Sequence, residues 1–270
     1  MNLNQNNGVS FLTFPSFEEY PFVNHAFSTR IGGVSKGKFS SMNLNFGHGD
    51  SRETVLENFH IFCEAAGFSF DSMVASAQDH HTTVRRVTSE QCGMGYTRPK
   101  DRKSVDGLIT DEPGVTLVTY YADCTPLFFL DPVHRAVGLA HSGWRGTAMQ
   151  IGKRTVERMH EEFGTSPEEL ITAIGPSIGP CCYEVDQPVY DQFIHQAELH
   201  PEAFLQEKGD GKYMLDLWEA NRRILLGAGV QEDHIEVAGL CTQCHSDLFY
   251  SHRVLGPERG GMAAMIAIRK

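Results

Sequence analysis

Short apolar segments, separated by frequent turn residues, constrain the fold more than any other feature of this sequence. Apolar, β-branched or aromatic segments lie at Val115–Tyr121, Leu127–Leu130, Ala136–Ala140, Ile171–Ile174 and Ile235–Gly239. Glycine and proline clusters punctuate the chain around them, which indicates short strands and many turns. Segments of this length and composition are typical of strands that are buried on both faces.

Helical patterns alternate with these strands. Apolar residues recur every three or four positions in Arg52–Ala66, Thr147–Phe163 and Leu215–Leu226, and the spacing predicts a further helix over Pro188–Phe204, interrupted near Pro201. The alternation lacks the regular period of a barrel, and the chain has no internal repeat or low-complexity linker. We therefore expect one mixed α/β (α+β) domain over residues 1–270, built from layers of sheet and helix.

Charge and composition exclude several classes of protein. The 270 residues carry 23 Lys and Arg against 34 Asp and Glu, a net charge of −11, whereas a nucleic-acid surface usually shows a basic stripe. No segment approaches the ~18 consecutive apolar residues of a membrane helix, and the first fifteen residues lack a secretory signal. We expect a cytoplasmic protein that binds neither nucleic acid nor membrane, with its seven cysteines as reduced thiols or metal ligands. Nothing in the composition indicates an oligomeric state.

Three segments combine metal-capable side chains with tight turns: Gln78–His81 after the predicted strand Met73–Ala77, Tyr121–Pro126, and Ala140–Gly146. We predict a hairpin over Val115–Leu139 that turns at Asp131–His134, which would bring Cys124 close to His141. A histidine from the separate first segment would complete a set of three donors.

Two histidines and one cysteine form a legitimate ligand set for catalytic zinc, which leaves a fourth position open. The resulting charge near +1 would promote deprotonation of a bound water. The same residue types also occur as a small buried cysteine and as turn histidines. A further alternative is a metal-free hydrolase in which Cys124 is the nucleophile and His141 the base. Spacing alone does not separate these interpretations.

A second cysteine pattern, Cys241-Thr-Gln-Cys244, is half of a zinc-knuckle or redox motif. A structural zinc site would need a second pair, and the only candidates, Cys181 and Cys182, are adjacent in sequence and poorly placed to chelate jointly. We therefore expect Cys241 and Cys244 to be buried reduced thiols.

Two arginines indicate an anion site. Arg145 follows Gly143-Trp144 and precedes a predicted helix, where backbone N–H groups favour phosphate. Arg30 lies in another glycine-rich loop. The alternatives are a structural salt bridge for Arg145 and an ordinary surface turn for Arg30.

Taken together, three motifs resemble one known family. They are Ala122-Asp-Cys-Thr-Pro126, Ala140-His-Ser-Gly-Trp-Arg-Gly146 and Gly175-Pro-Ser-Ile-Gly-Pro-Cys-Cys-Tyr-Glu-Val185, and the similarity extends through Ser28–Ser35, Ser41–Gly47, Ser251–Arg253 and Met262–Ile266. The family is the one long labelled polyphenol-oxidoreductase laccase and now associated with zinc-dependent purine nucleoside phosphorylase activity. The order and spacing of the motifs make this resemblance highly specific.

The resemblance implies a single-domain α/β/β/α sandwich and a zinc ion held by His80, Cys124 and His141. It implies phosphorolysis of adenosine, inosine and S-methyl-5'-thioadenosine, together with adenosine deamination, so that purine nucleosides and phosphate are the expected ligands. The older label implies copper-dependent oxidation of phenols, and some bacterial relatives are linked to peptidoglycan precursor editing. Within Ser41–Gly47, we expect Asn45 to contact the substrate.

The sequence departs from the family pattern at two places. His81 replaces the usual glycine after the first ligand, so two adjacent imidazoles, His80 and His81, are candidates for that ligand. Gly261 occupies the position of the usual arginine, and neighbouring Arg259 is the candidate to replace it.

The three implied activities require different residues, and the sequence supplies them to different extents. The chain lacks the His-x-His groupings that a multi-copper oxidase needs. Deamination requires a carboxylate to shuttle protons, for which Asp106, Asp123 and Asp79 are candidates. Phosphorolysis requires a phosphate held against the ribose, for which Arg145 is the first candidate and Arg30 the second.

Overall fold

The computed structural model describes residues 1–270 and contains fifteen strands and seven α-helices, joined by loops and short 3₁₀ turns. The strands are β1 (Asn2–Asn6), β2 (Val9–Thr13), β3 (Val23–Ser28), β4 (Met73–Ala75), β5 (Val84–Arg86), β6 (Gly107–Thr110), β7 (Thr116–Tyr121), β8 (Thr125–Asp131), β9 (Ala136–Ser142), β10 (Ile171–Ile174), β11 (Glu184–Asp186), β12 (Leu205–Gly209), β13 (Lys212–Leu215), β14 (Ile235–Val237) and β15 (Met262–Ile268). The helices are α1 (Pro15–Glu18), α2 (Arg52–Ala66), α3 (Trp144–Ala148), α4 (Ile151–Phe163), α5 (Gln187–Tyr190), α6 (Leu217–Gly227) and α7 (His252–Leu255).

Most of the strands form two six-stranded sheets. The first sheet has the order β1-β2-β3-β15-β7-β4 and the second has the order β14-β10-β8-β9-β6-β5. A third, three-stranded sheet has the order β11-β13-β12. The two large sheets contain both parallel and antiparallel pairs, which is typical of α+β architectures.

The core lies between the two large sheets, because alternate residues of each strand face opposite sides. Leu117 of β7 and Phe128 of β8 belong to the cluster between the sheets. Their neighbours point outwards: Val118 packs with residues of helix α2, and Phe129 packs with residues of helices α4 and α6. The prediction of a layered α/β/β/α sandwich is therefore confirmed. None of the helices combines the length and the apolar composition that crossing a bilayer requires.

The predicted bounds of helix α2 are confirmed, and both of its ends have capping residues. The Ser51 side chain accepts a hydrogen bond from the Thr54 N–H at the start of α2, and Gly67 ends this helix with a φ of 72°. The predicted continuous helix over Thr147–Phe163 is wrong, since Gln150 adopts a φ of 58° and separates α3 from α4. The side-chain amide of Gln150 donates to the Gln196 side chain at 3.0 Å, so a tertiary contact stabilises this break.

Two further helix predictions need correction. The segment 188–204 is not one helix: α5 ends at Tyr190, and two 3₁₀ turns follow on either side of His200, whose φ is 52°. The third helix begins at Leu217 instead of Leu215, because the Asp216 side chain accepts hydrogen bonds from the first turn.

The predicted hairpin is confirmed in part. Strands β8 and β9 pair as an antiparallel hairpin in which Pro126 lies opposite His141. Strand β7, however, belongs to the other sheet, where it pairs with β15. The chain crosses between the sheets at the turn 122–124, where Asp123 has a φ of 82°. This crossing places Cys124 at the edge where the two sheets approach each other.

Candidate metal centre and adjoining cavity

Three strand ends bring the predicted ligands together. Cys124 directly precedes β8, His141 lies near the end of β9, and His80 lies in the loop after β4. Their candidate donor atoms, one from each side chain, all lie within 4.8 Å of one another. The rings of His80 and His141 are 4.8 Å apart between centroids. One ion could therefore contact all three side chains.

The structure distinguishes the two adjacent histidines. His80 has a φ of 68°, a left-handed conformation that turns its side chain towards Cys124. The ring of His81 is exposed, and its Nδ1 atom lies 3.0 Å from the Asp79 carboxylate. His80, and not His81, is thus the imidazole placed to ligate.

A buried carboxylate fixes two of the three ligands. Asp106 is fully buried, and its Oδ1 atom accepts from His141 Nδ1 at 2.8 Å and from the His80 N–H at 3.0 Å. Its Oδ2 atom accepts from the backbone N–H groups of Asp79 and His81, at 3.2 Å and 3.1 Å. Because Nδ1 of His141 is engaged, its Nε2 atom is left for a metal, an arrangement that carboxylates commonly impose on ligating histidines.

Electrostatics favours a Cys124 thiolate beside a protonated His141 ring, whose Nε2 proton a bound metal would replace. Burial alone would raise the pKa of the Cys124 thiol, but the neighbouring imidazoles of His141 and His80 lower it to about 6. Burial would lower the pKa of His141, but Cys124 and Asp106 raise it to about 9. Burial likewise opposes ionisation of Asp106, yet hydrogen bonds from His141 and from the backbone hold its pKa at about 2. A thiolate, the form that binds metals, is therefore available near neutral pH.

The residues present fit a metal ion. A methyl group at Gly143 would come within 2.8 Å of His80 Nδ1 and 3.0 Å of Cys124 Sγ, so the absence of a side chain there gives these donors their room. Two imidazoles and one thiolate match the ligands that zinc takes at sites with an open position. The donor set and its spacing support a metal centre.

A cavity of about 400 Å³ opens onto His80 and Cys124, a volume within the range of small-molecule sites. Apolar side chains form part of its wall, namely Ala122, Trp144, Ile178, Tyr183 and Leu217. His252, Arg253 and Arg259 also line it. The cavity thus combines flat apolar surface with positive charge beside the metal donors.

Of the two arginines in the cavity wall, Arg259 has fewer hydrogen-bond partners. Its Nε atom is buried without a hydrogen-bond partner, and Nη1 lies 3.3 Å from His48 Nε2. Burial lowers the pKa of this guanidinium, whereas Asp123 raises it. From the sequence, Arg259 is only a substitute for the arginine missing at Gly261, and Arg253 is only the last residue of a similar segment, because no local signal shows that their side chains reach the cavity.

The other predicted site residues are distributed as follows. Asp123 lines the cavity, and both of its oxygens accept hydrogen bonds, from Thr242 Oγ1, from Ser251 Oγ and from the Arg253 N–H. Arg145, the first candidate for phosphate, is exposed, is not among the residues that line the cavity, and stacks on the ring of Trp144 at 4.2 Å. Arg30 is not brought to the cavity wall: its guanidinium donates to the carbonyl oxygens of Ser40 and Ser246.

Asn45 is not among the residues that line the cavity. Its Oδ1 atom accepts from the Gly47 N–H at 2.7 Å. Its Cβ atom lies so near Gly261 that a side chain at position 261 would approach it within 2.8 Å. Gly261 is therefore packed against this loop, whereas neighbouring Arg259 extends to the cavity.

The fold and the site together define a class of protein: an α/β/β/α sandwich with a candidate two-histidine, one-cysteine metal centre beside a cavity of small-molecule size. Comparison with known proteins identifies the family. The model of the multi-copper polyphenol oxidoreductase laccase family matches residues 24–269, and the chain belongs to this family.

Relatives in the family have closely similar sequences and structures. The purine nucleoside phosphorylase YlmD of Geobacillus stearothermophilus is 42% identical, with 90% of this chain and 89% of that protein covered. The purine nucleoside phosphorylase of Bacteroides thetaiotaomicron is 35% identical, with 96% of each chain covered. The crystal structure of the Bacillus licheniformis hypothetical protein YfiH superimposes with a TM-score of 0.92 at 32% identity, with 99% of each chain covered.

Proposed function

We propose that this protein is a zinc-dependent purine nucleoside phosphorylase that acts on adenosine, inosine and S-methyl-5'-thioadenosine. One observation carries the proposal: a cavity with a flat apolar wall and two arginines opens directly onto the donors His80 and Cys124. Relatives that align over most of the chain bear the name purine nucleoside phosphorylase. Purine nucleosides and phosphate are accordingly the proposed ligands, which agrees with the cytoplasmic location expected from the sequence.

The apolar wall suits a purine base. Trp144 and Tyr183 present aromatic surface to the cavity, and aromatic side chains bind flat heterocycles by stacking. Ile178 and Leu217 complete this wall and exclude water from one side of the bound base. We infer that the base lies here, with the ribose directed towards the metal donors.

The cationic wall suits phosphate. Arg253 lies in α7 and donates to the Glu184 carbonyl, whereas Arg259 lies in the loop after α7. The buried Nε–H group of Arg259 has no acceptor in the protein. Guanidinium groups bind phosphate through paired N–H donors. Arg145, held on Trp144, stays a candidate for the cavity margin. We propose Arg259 as the principal phosphate-binding residue.

The residues of the chain contribute mainly position and charge. A zinc ion at His80, Cys124 and His141 would act as a Lewis acid towards a substrate oxygen. Asp106 keeps His141 in the required tautomer, and the arginines hold the attacking phosphate close to C1′ of the ribose. Holding two reactants in a reactive geometry supplies much of the acceleration in such displacements.

The deaminase activity has less support from the geometry. Each oxygen of the Asp106 carboxylate already accepts two hydrogen bonds, and both oxygens of Asp123 are engaged as well. A carboxylate that shuttles protons to a substrate needs a free oxygen within hydrogen-bond reach. In phosphorolysis the attacking phosphate can itself supply the proton that the departing purine takes up, so no protein carboxylate is required for that transfer. Phosphorolysis is therefore the activity that we propose first, with adenosine deamination as a secondary activity.

The test is product formation from inosine by zinc-loaded protein, with and without inorganic phosphate. We expect hypoxanthine and ribose 1-phosphate to form only when phosphate is present, and we expect His80→Ala to abolish both. Zinc-loaded protein that releases no hypoxanthine in phosphate would refute the phosphorylase assignment. Release of ammonia from adenosine, measured in parallel, tests the deaminase activity separately.

A metal-free Cys–His hydrolase is the second candidate, and one observation favours it. The Cys124 thiol, whose pKa is lowered to about 6, lies beside His141, and Asp106 orients that histidine, which is the arrangement of a nucleophile, a base and an orienting carboxylate. The convergence of His80 on the same point favours a metal instead. Turnover that survives chelation and is lost after alkylation of Cys124 would establish the hydrolase.

A further inference from the structure

A second group of metal-capable side chains lies where two loops meet. Cys181 and Cys182 lie in the loop between β10 and β11, and Cys241 and Cys244 lie in the loop after β14. Their four sulfur atoms all lie within 4.8 Å of one another. Cys244 Sγ is 3.5 Å from the sulfur of Cys181 and 3.5 Å from that of Cys182.

This arrangement corrects two expectations. Cys241 is buried as expected, but Cys244 is exposed. The adjacent Cys181 and Cys182 were expected to chelate poorly together, yet they occupy a turn in which the N–H groups of Cys182 and Tyr183 both donate to the Gly179 carbonyl, at 3.0 Å each. The tight turn brings both sulfurs towards the same point, which linear sequence does not reveal.

We propose that Cys181, Cys182, Cys241 and Cys244 bind a zinc ion as a closed structural site, separate from the candidate metal centre. Zinc bound by four thiolates at Zn–S distances of about 2.3 Å is tetrahedral, which places its sulfurs roughly 3.8 Å apart. The sulfur separations given above bracket this value. A closed set of four sulfurs leaves no open position, so the role of the ion is structural.

Backbone contacts hold Cys241 in place. The Gly179 N–H donates to Cys241 Sγ at 3.2 Å, and the Thr242 N–H donates to the Ser177 carbonyl at 3.0 Å. A Cβ atom at Gly179 would come within 3.1 Å of Cys241 Cβ, so glycine permits this close approach of the two loops. N–H groups directed at a sulfur stabilise its thiolate, the form that binds the ion.

A disulfide accounts less well for the geometry. Cys244 is equally distant from Cys181 and Cys182, so no single pairing is preferred, and any one disulfide would leave two further thiols in the cluster unused. A tetrahedral ion uses all four sulfurs. We therefore assign the cluster to metal binding and treat a disulfide as an outcome of the test.

The proposed ion would cross-link two loops, one of which forms part of the cavity wall. Ile178 and Tyr183 line the cavity and flank the first cysteine pair in sequence. Thr242, next to Cys241, donates its hydroxyl to Asp123 Oδ1 at 2.6 Å. Both loops lie outside the large sheets, so a metal cross-link would stabilise a part of the molecule that has little regular structure to hold it.

Metal content tests the proposal independently of any reaction. We expect two zinc ions per chain in protein purified under reducing conditions, one in the double variant Cys181→Ser/Cys244→Ser, and one in His80→Ala/His141→Ala. Cys92→Ser is the matched control and should keep both ions, because Cys92 lies elsewhere and donates to the Ser72 carbonyl. With cobalt in place of zinc, the first double variant should lose most of the thiolate-to-metal charge-transfer absorption.

Wild-type protein provides a second measurement that does not depend on the folding of a variant. We expect the metal to protect Cys181 and Cys244 from iodoacetamide and a chelator to expose them, as read by mass spectrometry of peptides. Equal alkylation with and without the chelator, or a disulfide from Cys244 to either neighbour in fresh protein, would overturn the proposal. An equal zinc content in the wild-type protein and in Cys181→Ser/Cys244→Ser would also overturn it. None of these outcomes bears on the phosphorylase assay.

Discussion

Asp106→Asn is the substitution that examines the candidate metal centre most closely, because this one carboxylate orients both histidine ligands. Its two oxygens accept four hydrogen bonds, among them one from His141 Nδ1 at 2.8 Å and one from the His80 N–H at 3.0 Å. An asparagine has a single acceptor oxygen, and its NH₂ group can only donate. One pair of donors must therefore lose its acceptor, whichever way the amide is turned.

The expected loss follows from the donors affected. If the NH₂ group faces His141 Nδ1, the imidazole must carry its proton on Nε2, the atom that a metal needs. Replacing the orienting partner of a ligating histidine typically costs 10–100-fold in metal affinity, or about 1.4–2.7 kcal/mol. Leaving buried N–H groups without an acceptor costs a further ~1–3 kcal/mol each in stability, with or without metal.

Asp131→Asn is the matched control. Asp131 is also fully buried, and it accepts hydrogen bonds from the Val133 and His134 backbone N–H groups and from the His134 ring. It lies at the opposite end of the β8–β9 hairpin, away from the metal donors. It therefore reproduces the loss of stability without the effect on ligand geometry.

The assay is a zinc competition titration against a chromophoric chelator, with urea unfolding of the metal-free proteins alongside. We expect both variants to unfold at lower urea concentration and only Asp106→Asn to bind zinc more weakly. An Asp106→Asn protein with unchanged zinc affinity would refute the reasoning, and so would an equal loss of affinity in Asp131→Asn.

Three further predictions test the metal fit, the anion site and the core. Gly143→Ala should reduce zinc affinity at least tenfold with little change in the thermal unfolding midpoint, because the added Cβ would lie 2.8 Å from a ligand nitrogen; unchanged affinity in a titration would contradict the fit. Arg259→Gln should raise the KM for phosphate about tenfold or more while changing the KM for inosine little, since one charge-assisted contact contributes roughly 1.5–3 kcal/mol; equal changes in both constants would argue against a phosphate role. His25 is buried, accepts the Phe14 N–H at 2.7 Å, and has its pKa lowered by burial from 6.5 to about 4. As the pH falls, His25 takes up its proton in the unfolded chain before it does so in the folded protein. The free energy of unfolding should therefore fall by about 3 kcal/mol as the pH decreases from 6.5 to 4. His25→Gln should lose that dependence, whereas a substitution of the exposed His60 should keep it, as measured by urea unfolding across this range; an unchanged dependence in His25→Gln would contradict the assignment.

Local signals predicted that Cys124 and His141 lie close together, and the family resemblance supplied His80 as the third candidate donor. The turn at Asp131–His134 fixes the hairpin, and the hairpin places His141 beside the strand that Cys124 precedes. The choice between His80 and His81 needed the structure, since it depends on the φ of His80 and on the contact of His81 with Asp79. Asp106 was named only as a proton shuttle, because nothing local indicates that three backbone N–H groups and a ring would converge on it.

Features that depend on contacts between distant segments were not predictable. The left-handed residue at the break is Gln150, which is neither glycine nor proline, and its side chain contacts Gln196. The apolar sequence of β7 and β8 does not indicate that they enter different sheets. Sequence likewise placed the two cysteine pairs far apart, and only the approach of Gly179 to Cys241 brings them together.

The measurement that tests the central claim most directly is anomalous diffraction at the zinc absorption edge, from crystals of protein purified without chelator. We predict an anomalous peak bonded to Cys124 Sγ, His141 Nε2 and the His80 ring, at distances of about 2.0–2.3 Å. A structure in which these three side chains share no ion, while the same protein converts inosine in phosphate, would contradict the account.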